Sequence, residues 1–428
     1  MKKVLIISYF FPPCNLTAAN RVGSWAEQLS DFGYYPIVVT RNWNKEVTYK
    51  EVLTENSVNQ VEIVKNARSE VHYLPYFSSL RDKLFTKPFP LNQLSKPLTL
   101  FELVGQNFSN LFIPYSNIET YCEELLKANT QINVLVASAG PYPLFRFASR
   151  LKQKNPKLKW IADYRDDWTT KSLNKPSDRL SELIESQEKR SEKKWVGSAE
   201  RIVSVSDTLT GRISKFTGIQ GITIPNGFSV KLLDSVQPIM ESKKFIISYS
   251  GYLYAVQQVE QFLELFKAIV DKYKSKITLV ARFIGLAYHR ESVTRVRNAM
   301  LGYEEYLDIT PRISIEKCIQ FEKQADILLM MAYGSEKGIP SSKIYQYVGL
   351  KKPVLIYPTD GDIIEKILKD TEQAVIPEDI EDGIRLISES IESKLQGKPW
   401  RKEVDIVKIL NYSRLKQTEK LASLLDSI

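Results

Sequence analysis

Strand-like apolar runs alternate with helical patterns along most of the chain, and this alternation restricts the fold more than any other feature. The first half contains the runs KVLIIS, YPIVVT, INVLVAS, KLKWIAD, RIVSVS and GITIP. Such nearly continuous apolar strands are typical of parallel strands whose sheet is covered by helices on both faces. The sequence therefore predicts an α/β fold with doubly wound parallel sheets.

The alternation starts again after a polar stretch at residues 227–244, with the runs FIISYSG, KITLVARFIG and DILLMM. A Pro-Asn-Gly turn at residues 225–227 precedes this stretch and marks it as a linker. We therefore predict two Rossmann-like domains facing a cleft, at residues 1–226 and 227–402. Residues 41–115 are rich in aromatic residues and proline and do not follow the pattern, so an irregular insertion is predicted there.

The composition is that of a soluble globular protein, with 428 residues of which 43% are apolar and 25% charged. No run of about eighteen apolar residues occurs, so no membrane-spanning helix is predicted. Three cysteines (Cys14, Cys122, Cys318) and two histidines (His72, His289) show no metal-binding spacing. We expect a cytoplasmic protein that needs no metal.

The positive charge is concentrated in the first half. Residues 1–226 contain 30 Lys and Arg against 22 Asp and Glu, and the remainder contains 29 against 28. Such an excess predicts an anionic surface or ligand at the first half, for which nucleic acid and a lipid headgroup surface are the two candidates. The densest basic stretch is RLKQKNPKLKW from Arg150. It fits a membrane-facing role and a solvated helix end with its loop equally well.

The segment IPSSKIYQYVGLKKPVLIYPTDGD, which starts at Ile339, predicts a helix followed by a buried strand. Ser341 and Ser342 can cap the helix, and the free backbone N–H groups of its first turn lie next to Lys343. These features predict a phosphate site, because the N-terminus of a helix attracts anions. A capped helix with a solvated lysine is the simpler alternative.

Several segments together resemble the family 4-like glycosyltransferases of the GT-B fold, enzymes that move a sugar from a nucleotide-sugar donor to an acceptor. IADYRDDWT is similar to the family's DFRDPW signature, and the segment at Ile339 is similar to its PSKxxEYxxxxKPxL donor loop. The resemblance covers almost the whole chain. It implies that the first domain binds the acceptor, that the second binds the donor, and that a last helix at about residues 403–428 packs back on the first domain.

On the donor side, the resemblance implies a contact surface made by Gly251, Tyr252, Pro311, Arg312, Ser341, Ser342, Lys343 and Gln346. Lys343 and Arg282 are expected to stabilise the leaving diphosphate. The sequence departs from the family pattern in two ways, because Gln346 and Gly338 replace a pair of glutamates and the basic pair after the first donor-domain strand is absent. Glu336 is an alternative source of the earlier carboxylate.

Gln346 is expected to contact the ribose of the donor. An amide oxygen accepts weaker hydrogen bonds than a carboxylate. The substitution Gln346→Glu is therefore predicted to leave donor binding equal or stronger.

On the acceptor side, the resemblance implies a site made by Arg21, Asp163, Arg165 and Asp166. Asp163 is expected to hydrogen-bond an acceptor hydroxyl and to help remove its proton. Arg165 is expected to neutralise a phosphate or to pair with Asp166, which organises the loop. An Asp-Arg network that only fixes the loop is the alternative.

The resemblance thus implies a glycosyltransferase that acts with retention in surface polysaccharide or glycolipid assembly. The expected partners are a nucleotide sugar, a glycan or lipid-linked acceptor and an anionic membrane surface at the inner face of the cell membrane, with no nucleic acid. No cofactor beyond the donor and no metal is expected. Gln346 and the missing basic pair leave open a catalytically inert partner protein of the same fold. A nucleotide-sugar epimerase is less favoured, because two histidines supply little acid-base chemistry.

Overall fold

The computed structural model describes residues 1–43, 56–57, 59–170, 179–239, 243–334 and 337–428. They form two compact units, of which the first comprises Met1–Pro225 with Gln417–Ile428 and the second comprises Asn226–Lys416. The first unit ends one residue before the predicted boundary at residue 226. Residues 403–416, predicted to return to the first domain, belong to the second unit.

The first unit is built on an eight-stranded sheet. Its strands are β1 (Lys2–Ser8), β2 (Tyr34–Arg41), β3 (Glu62–Lys65), β4 (Glu70–Leu74), β5 (Val134–Ser138), β6 (Lys159–Tyr164), β7 (Arg201–Ser204) and β8 (Gly221–Thr223). The strand order is β3-β4-β2-β1-β5-β6-β7-β8, and every pair is parallel except β3 with β4. The predicted doubly wound parallel sheet is confirmed.

Helices connect these strands. They are α1 (Thr17–Gln28), α2 (Leu80–Phe85), α3 (Ser95–Gly105), α4 (Asn117–Ala128), α5 (Pro143–Lys154), α6 (Arg179–Val196) and α7 (Asp207–Thr217). Short 3-10 turns lie at Leu29–Phe32, Leu91–Leu94 and Asn110–Phe112.

The region predicted as an irregular insertion contains two strands, β3 and β4. All four residues of β3 are exposed, and β4 contains the polar residues Glu70 and His72, so neither strand shows the apolar run by which the other strands are recognised. His72 is held by Glu70 at 2.8 Å and by the hydroxyl of Tyr121 at 2.7 Å. Residues 44–55 and 58 of this region lie outside the described residues.

The second unit is built on a six-stranded sheet. Its strands are β9 (Phe245–Ser250), β10 (Leu279–Ile284), β11 (Leu307–Ile309), β12 (Ile327–Met330), β13 (Val354–Ile356) and β14 (Ala374–Val375). Their order is β11-β10-β9-β12-β13-β14, and all pairs are parallel.

The helices of this unit are α8 (Val230–Ser235), α9 (Val259–Tyr273), α10 (Arg290–Ala299), α11 (Ile315–Gln324), α12 (Ser342–Leu350), α13 (Ile363–Asp370), α14 (Ile380–Leu395) and α15 (Ile406–Leu410). Two 3-10 turns lie at Leu286–Tyr288 and Glu304–Tyr306. Within the described ranges, every helix of the chain is too short or too polar to cross a lipid bilayer.

The last helix, α16 (Arg414–Asp426), begins in the second unit and ends in the first. At its start, the N–H of Arg414 donates to the carbonyl of Phe228 at 2.8 Å, which holds this end on the second unit. Further along, four apolar residues join the core that also contains Val4, Val22 and Trp25 of the first unit; they are Leu421, Ala422, Leu424 and Leu425. Burial of these side chains stabilises the return of the chain to its first unit.

Candidate functional site

A lysine with a buried ammonium group, Lys343, lies where α12 begins, beside the carboxyl end of β9. The Nζ atom of Lys343 lies 3.9 Å from the centre of the Tyr249 ring. A Cβ built on Gly251 would lie 3.8 Å from the same Nζ, so the loop after β9 runs next to the ammonium. The N–H of Ser250 donates to the Tyr347 hydroxyl at 3.0 Å and joins the end of β9 to α12. The structure thus brings Gly251 and Lys343 together.

The ammonium of Lys343 lacks a hydrogen-bond partner among the described residues, although its Nζ is buried. Burial lowers the pKa of Lys343 to about 7, because the charged form loses its hydration, while the nearby Glu322 acts in the opposite direction. The electrons of the Tyr249 ring replace part of the lost hydration. An anion that reached Nζ would supply the missing partner.

The start of α12 differs from the prediction in its capping. Ser341 occupies the N-cap position, but its side chain accepts no hydrogen bond from a backbone N–H of the helix. Its hydroxyl instead hydrogen-bonds Tyr333, and Ser342 is exposed. The backbone donors of the first turn therefore remain uncapped by Ser341, and they lie next to Lys343.

Gly251 has a φ of 90°, in the left-handed region that a side chain rarely adopts. Glycine therefore allows the loop after β9 to turn at this point. The turn brings the backbone close to Lys343.

Gln346 makes its observed contact with an acidic residue that the sequence analysis did not identify. Its amide nitrogen Nε2 donates to Oε2 of Glu322 on α11, and Glu322 is fully buried. The Sγ of Cys318 lies 3.5 Å from the other carboxylate oxygen. Burial raises the pKa of Glu322, while hydrogen bonds from Gln346, Ser250 and Cys318 oppose that rise.

This contact changes the expectation for Gln346→Glu. A glutamate at position 346 would place a second carboxylate against Glu322, and two carboxylates at hydrogen-bond distance do not both ionise. A penalty is therefore expected where the sequence predicted equal or stronger donor binding. No local pattern in the sequence identifies Glu322 as this partner, because the contact joins residues on two different helices.

Arg282 lies in a network of its own. Its Nε donates to Asp308 at 2.6 Å and its Nη1 to Gln324 at 2.9 Å, and its guanidinium lies over the ring of Phe321. None of its described contacts reaches Lys343. The contact of Arg282 with a diphosphate stays a prediction.

The remaining donor-side candidates lie on loops. Tyr252 is exposed and packs edge-on against His289 at 4.4 Å. Pro311 and Arg312 are exposed and follow β11. The N–H of Gly338 donates to Asp362. Glu336, the alternative carboxylate, lies outside the described residues.

In the first unit, Asp163 and Arg21 form a buried ion pair. Arg21 donates to Oδ1 of Asp163 from Nη2 at 2.9 Å, and the hydroxyl of Ser138 donates to Oδ2 at 2.7 Å. Asp163 is fully buried, and Arg21 also donates to the carbonyl of Ile224 at 2.9 Å. Both carboxylate oxygens are therefore occupied, and the geometry corresponds to the alternative in which an Asp-Arg network fixes the loops. The acceptor contact of Asp163 stays a prediction that this arrangement does not support.

Arg165 is bound to the loop after β5 rather than ion-paired with Asp166. Its Nε donates to the carbonyl of Ala139 at 2.7 Å, and its Nη2 to that of Gly140 at 2.8 Å. A Cβ on Gly140 would lie 2.3 Å from Nη2, so glycine is needed for this approach. Burial lowers the pKa of Arg165, and Asp166 acts in the opposite direction. Asp166 itself is exposed.

The adjacent Asp167 is the residue that organises this loop. It is buried, and it forms an ion pair with Arg212 at 2.8 Å. It also accepts a hydrogen bond from Thr170. Asp166, predicted to organise the loop, has no ion pair among the described residues, so its side chain remains accessible.

Among the described residues, no three His, Cys, Asp or Glu side chains are arranged to hold a metal ion. The expectation that no metal is needed stays a prediction.

No family model matches the chain, and no curated protein matches it. Solved structures do match over the full length. Sucrose-phosphate synthase from Thermosynechococcus elongatus is 12% identical, with a TM-score of 0.63 and coverage of 100% of this chain and 99% of that chain.

Two further structures match equally well. The trehalose-phosphate synthase from Burkholderia xenovorans in complex with glucose-6-phosphate is 10% identical, with a TM-score of 0.64 and coverage of 99% and 100% of the two chains. Anabaena HepE in complex with UDP is 11% identical, with a TM-score of 0.60 and full coverage of both chains. The structural neighbours are GT-B glycosyltransferases, and the chain has the GT-B fold. At these identities the similarity establishes the fold alone.

Proposed function

We propose that this protein is a glycosyltransferase that moves a sugar from a nucleotide-sugar donor to a glycan or lipid-linked acceptor. The observation that carries the proposal is the buried Nζ of Lys343, which has no hydrogen-bond partner among the described residues and lies at the uncapped start of α12. A diphosphate would supply the hydrogen-bond acceptor that Nζ lacks, and the helix N–H groups would donate to its other oxygens. The GT-B fold supports the choice of a nucleotide sugar, and the UDP bound to Anabaena HepE makes UDP the first probe.

In the proposed reaction, Lys343 and the first turn of α12 stabilise the charge that develops on the leaving diphosphate. Gly251 lets the backbone approach the phosphates, and Gln346 accepts a hydrogen bond from the ribose. Retention of the anomeric configuration, a family 4-like subtype and a role in surface polysaccharide or glycolipid assembly are inferred from the sequence motifs. No metal is part of the proposal.

The affinity of the purified protein for UDP, measured by isothermal titration calorimetry, tests the donor site. Lys343→Ala is expected to weaken binding at least tenfold, because a buried charge-assisted contact contributes roughly 1.5 to 3 kcal/mol. The matched control is Lys366→Ala, an exposed lysine on α13, which should leave the affinity unchanged. Equal affinity of the two variants would contradict the donor site.

The alternative is a GT-B protein that binds without catalysis. Gln346 and the absence of a basic pair after β9 favour it. Incubating the protein with nucleotide sugars and measuring the released nucleoside diphosphate distinguishes a transferase from a protein that only binds. An active transferase releases nucleoside diphosphate by slow hydrolysis even without its acceptor. Binding of the nucleotide sugar with no release, also in the presence of candidate glycan and lipid-linked acceptors, would favour the inert partner.

We also propose that the first unit lies peripherally on an anionic membrane at the inner face of the cell membrane. Large apolar side chains are exposed along residues 77–111, here called the apolar segment; they are Phe77, Leu80, Phe85, Phe89, Leu91, Leu94, Phe101, Val104, Phe108 and Leu111. Single exposed apolar residues are ordinary, but so many within one short stretch of the chain favour an interaction surface.

The charges within the apolar segment fit an anionic partner. Its three lysines, Lys83, Lys87 and Lys96, are exposed. Its two acids, Asp82 and Glu102, are both ion-paired with Arg81. The segment therefore presents apolar side chains together with uncompensated positive charge, which is the chemistry that binds anionic lipid surfaces.

A further inference from the structure

Glu322 is a buried acid whose contacts converge on the proposed donor site. It lies on α11 and is fully buried, and its carboxylate accepts hydrogen bonds from Gln346 and Cys318. It also faces Lys343, which lies three residues before Gln346 on α12. Isolated carboxylates are seldom buried, because the loss of hydration is costly unless donors compensate for it. The contact therefore calls for a reason beyond packing.

The contact with Glu322 fixes which end of the Gln346 amide points outward. An amide has a donor end and an acceptor end, whereas an ionised carboxylate only accepts. In the structure the NH2 group faces Glu322, as an ionised partner requires, and the carbonyl oxygen Oε1 lies at the other end of the amide. Among the described residues, no group donates to Oε1, and Gln346 is only partly buried.

We propose that Glu322 is a positioning residue that holds the Gln346 amide with its carbonyl oxygen directed toward the donor, where it accepts a hydrogen bond from a ribose hydroxyl. The pair of Gln346 and Glu322 replaces a single glutamate at position 346. Donation from the NH2 group to a carboxylate polarises the amide, which makes its oxygen a stronger acceptor. This inference rests on the proposed donor site.

The discriminating measurement is the preference for ribose over deoxyribose, because both ligands carry the same diphosphate. UDP is titrated against 2′-deoxy-UDP and 3′-deoxy-UDP by calorimetry, and the corresponding ADP and GDP pairs are used if UDP does not bind. Any effect of Glu322 on the charge of Lys343 cancels in the ratio of the affinities. A change in the ratio therefore reports on the ribose contact.

The wild-type protein is expected to bind UDP about tenfold more tightly than one of its deoxy forms, because the loss of one hydrogen bond of ordinary strength lowers the affinity by about that factor. In Glu322→Met the amide loses its orienting partner, and the ratio should fall to about one. The matched control is Glu316→Met, which removes an exposed acid from the same helix and should keep the wild-type ratio. The reciprocal double variant Glu322→Gln with Gln346→Glu should restore the preference, since a carboxylate then lies at position 346 and an amide donates to it.

A second variant covers the case in which Glu322→Met does not fold. Gln346→Met removes Oε1 and leaves Glu322 in place, and it should also abolish the ribose preference. A ribose preference that survives in either variant would overturn the role of Glu322, and so would a wild-type protein without that preference. In both cases binding of UDP itself would still support the donor site. Failure of all three nucleoside diphosphates to bind the wild-type protein would overturn the donor site and this inference together.

Discussion

Lys343 places a positive charge where water cannot hydrate it. Its ammonium faces three neighbours, of which Glu322 and Cys318 lie on α11 and Tyr249 lies on β9. Burial has the largest effect and lowers the pKa of the lysine to about 7. A pKa near neutrality makes the charge of this side chain sensitive to pH in the physiological range.

Donor binding is predicted to weaken as the pH rises above about 7. The anion prefers the charged lysine, which is present below the pKa and lost above it, so binding at higher pH must take up a proton. The dissociation constant of UDP should rise by up to tenfold per pH unit between pH 7 and 9. Calorimetry in two buffers of different ionisation enthalpy measures the proton uptake directly.

Lys343→Arg provides the control for this pH dependence. Arginine stays charged at every pH in the range, so the pH dependence above 7 should disappear in that variant, whatever its absolute affinity. A dissociation constant that is the same at pH 7 and pH 9 in the wild-type protein would show that Lys343 keeps its proton in the free state.

The positions of Lys343 and Gly251 could be predicted from the sequence, because both belong to local patterns at the ends of a helix and a strand. Glu322 could not. Its contact with Gln346 joins residues on two different helices, and nothing in the local sequence of α11 specifies which face meets α12. Asp163 shows the same limit, since the sequence placed it at the end of β6 but could not show that Arg21 covers its carboxylate.

At the scale of elements, the ion pair of Arg21 and Asp163 joins α1 to β6. Arg21 also donates to the carbonyl of Ile224, so it holds the chain that follows β8 as well. Removing only one partner of such a buried ion pair destabilises the fold, because the other charge remains buried without compensation.

Asp163→Asn is therefore predicted to destabilise the first unit by about 3 to 5 kcal/mol. Urea unfolding followed by tryptophan fluorescence measures this, because five of the six tryptophans belong to the first unit; they are Trp25, Trp43, Trp160, Trp168 and Trp195. Asp166→Asn, at an exposed position without a described ion pair, should change the stability by less than about 0.5 kcal/mol. Unchanged stability of Asp163→Asn with loss of transferase activity would instead support the acceptor contact predicted from the sequence.

The regular elements followed from the sequence where apolar periodicity was strong. The runs KVLIIS, RIVSVS and FIISYSG became β1, β7 and β9. The exposed β3 was missed, because an edge strand with no buried residue carries no apolar pattern. The bridge between Phe228 and the start of α16 was missed for a different reason, since backbone hydrogen bonds between distant residues leave no mark on the sequence.

At the scale of the whole molecule, the charge difference between the two halves and the apolar segment favour the same partner. Residues 1–226 carry a net charge of +8, from 30 basic and 22 acidic residues, and the apolar segment adds exposed aromatic side chains to that half. Attraction to an anionic surface falls as salt is added, whereas insertion of apolar side chains does not. The two contributions can therefore be separated.

We predict that the protein floats with vesicles containing anionic lipid at low salt and remains largely in solution with neutral vesicles. The triple variant Lys83→Gln, Lys87→Gln and Lys96→Gln should weaken binding roughly a hundredfold, because each basic residue near an anionic surface contributes about 1 kcal/mol. A matched variant of three exposed lysines in the second unit, Lys317→Gln, Lys366→Gln and Lys402→Gln, removes the same net charge from elsewhere and should bind nearly as well as the wild-type protein. Equal loss in both triple variants would mean that only the total charge matters, and absence of flotation at low salt would exclude the membrane partner.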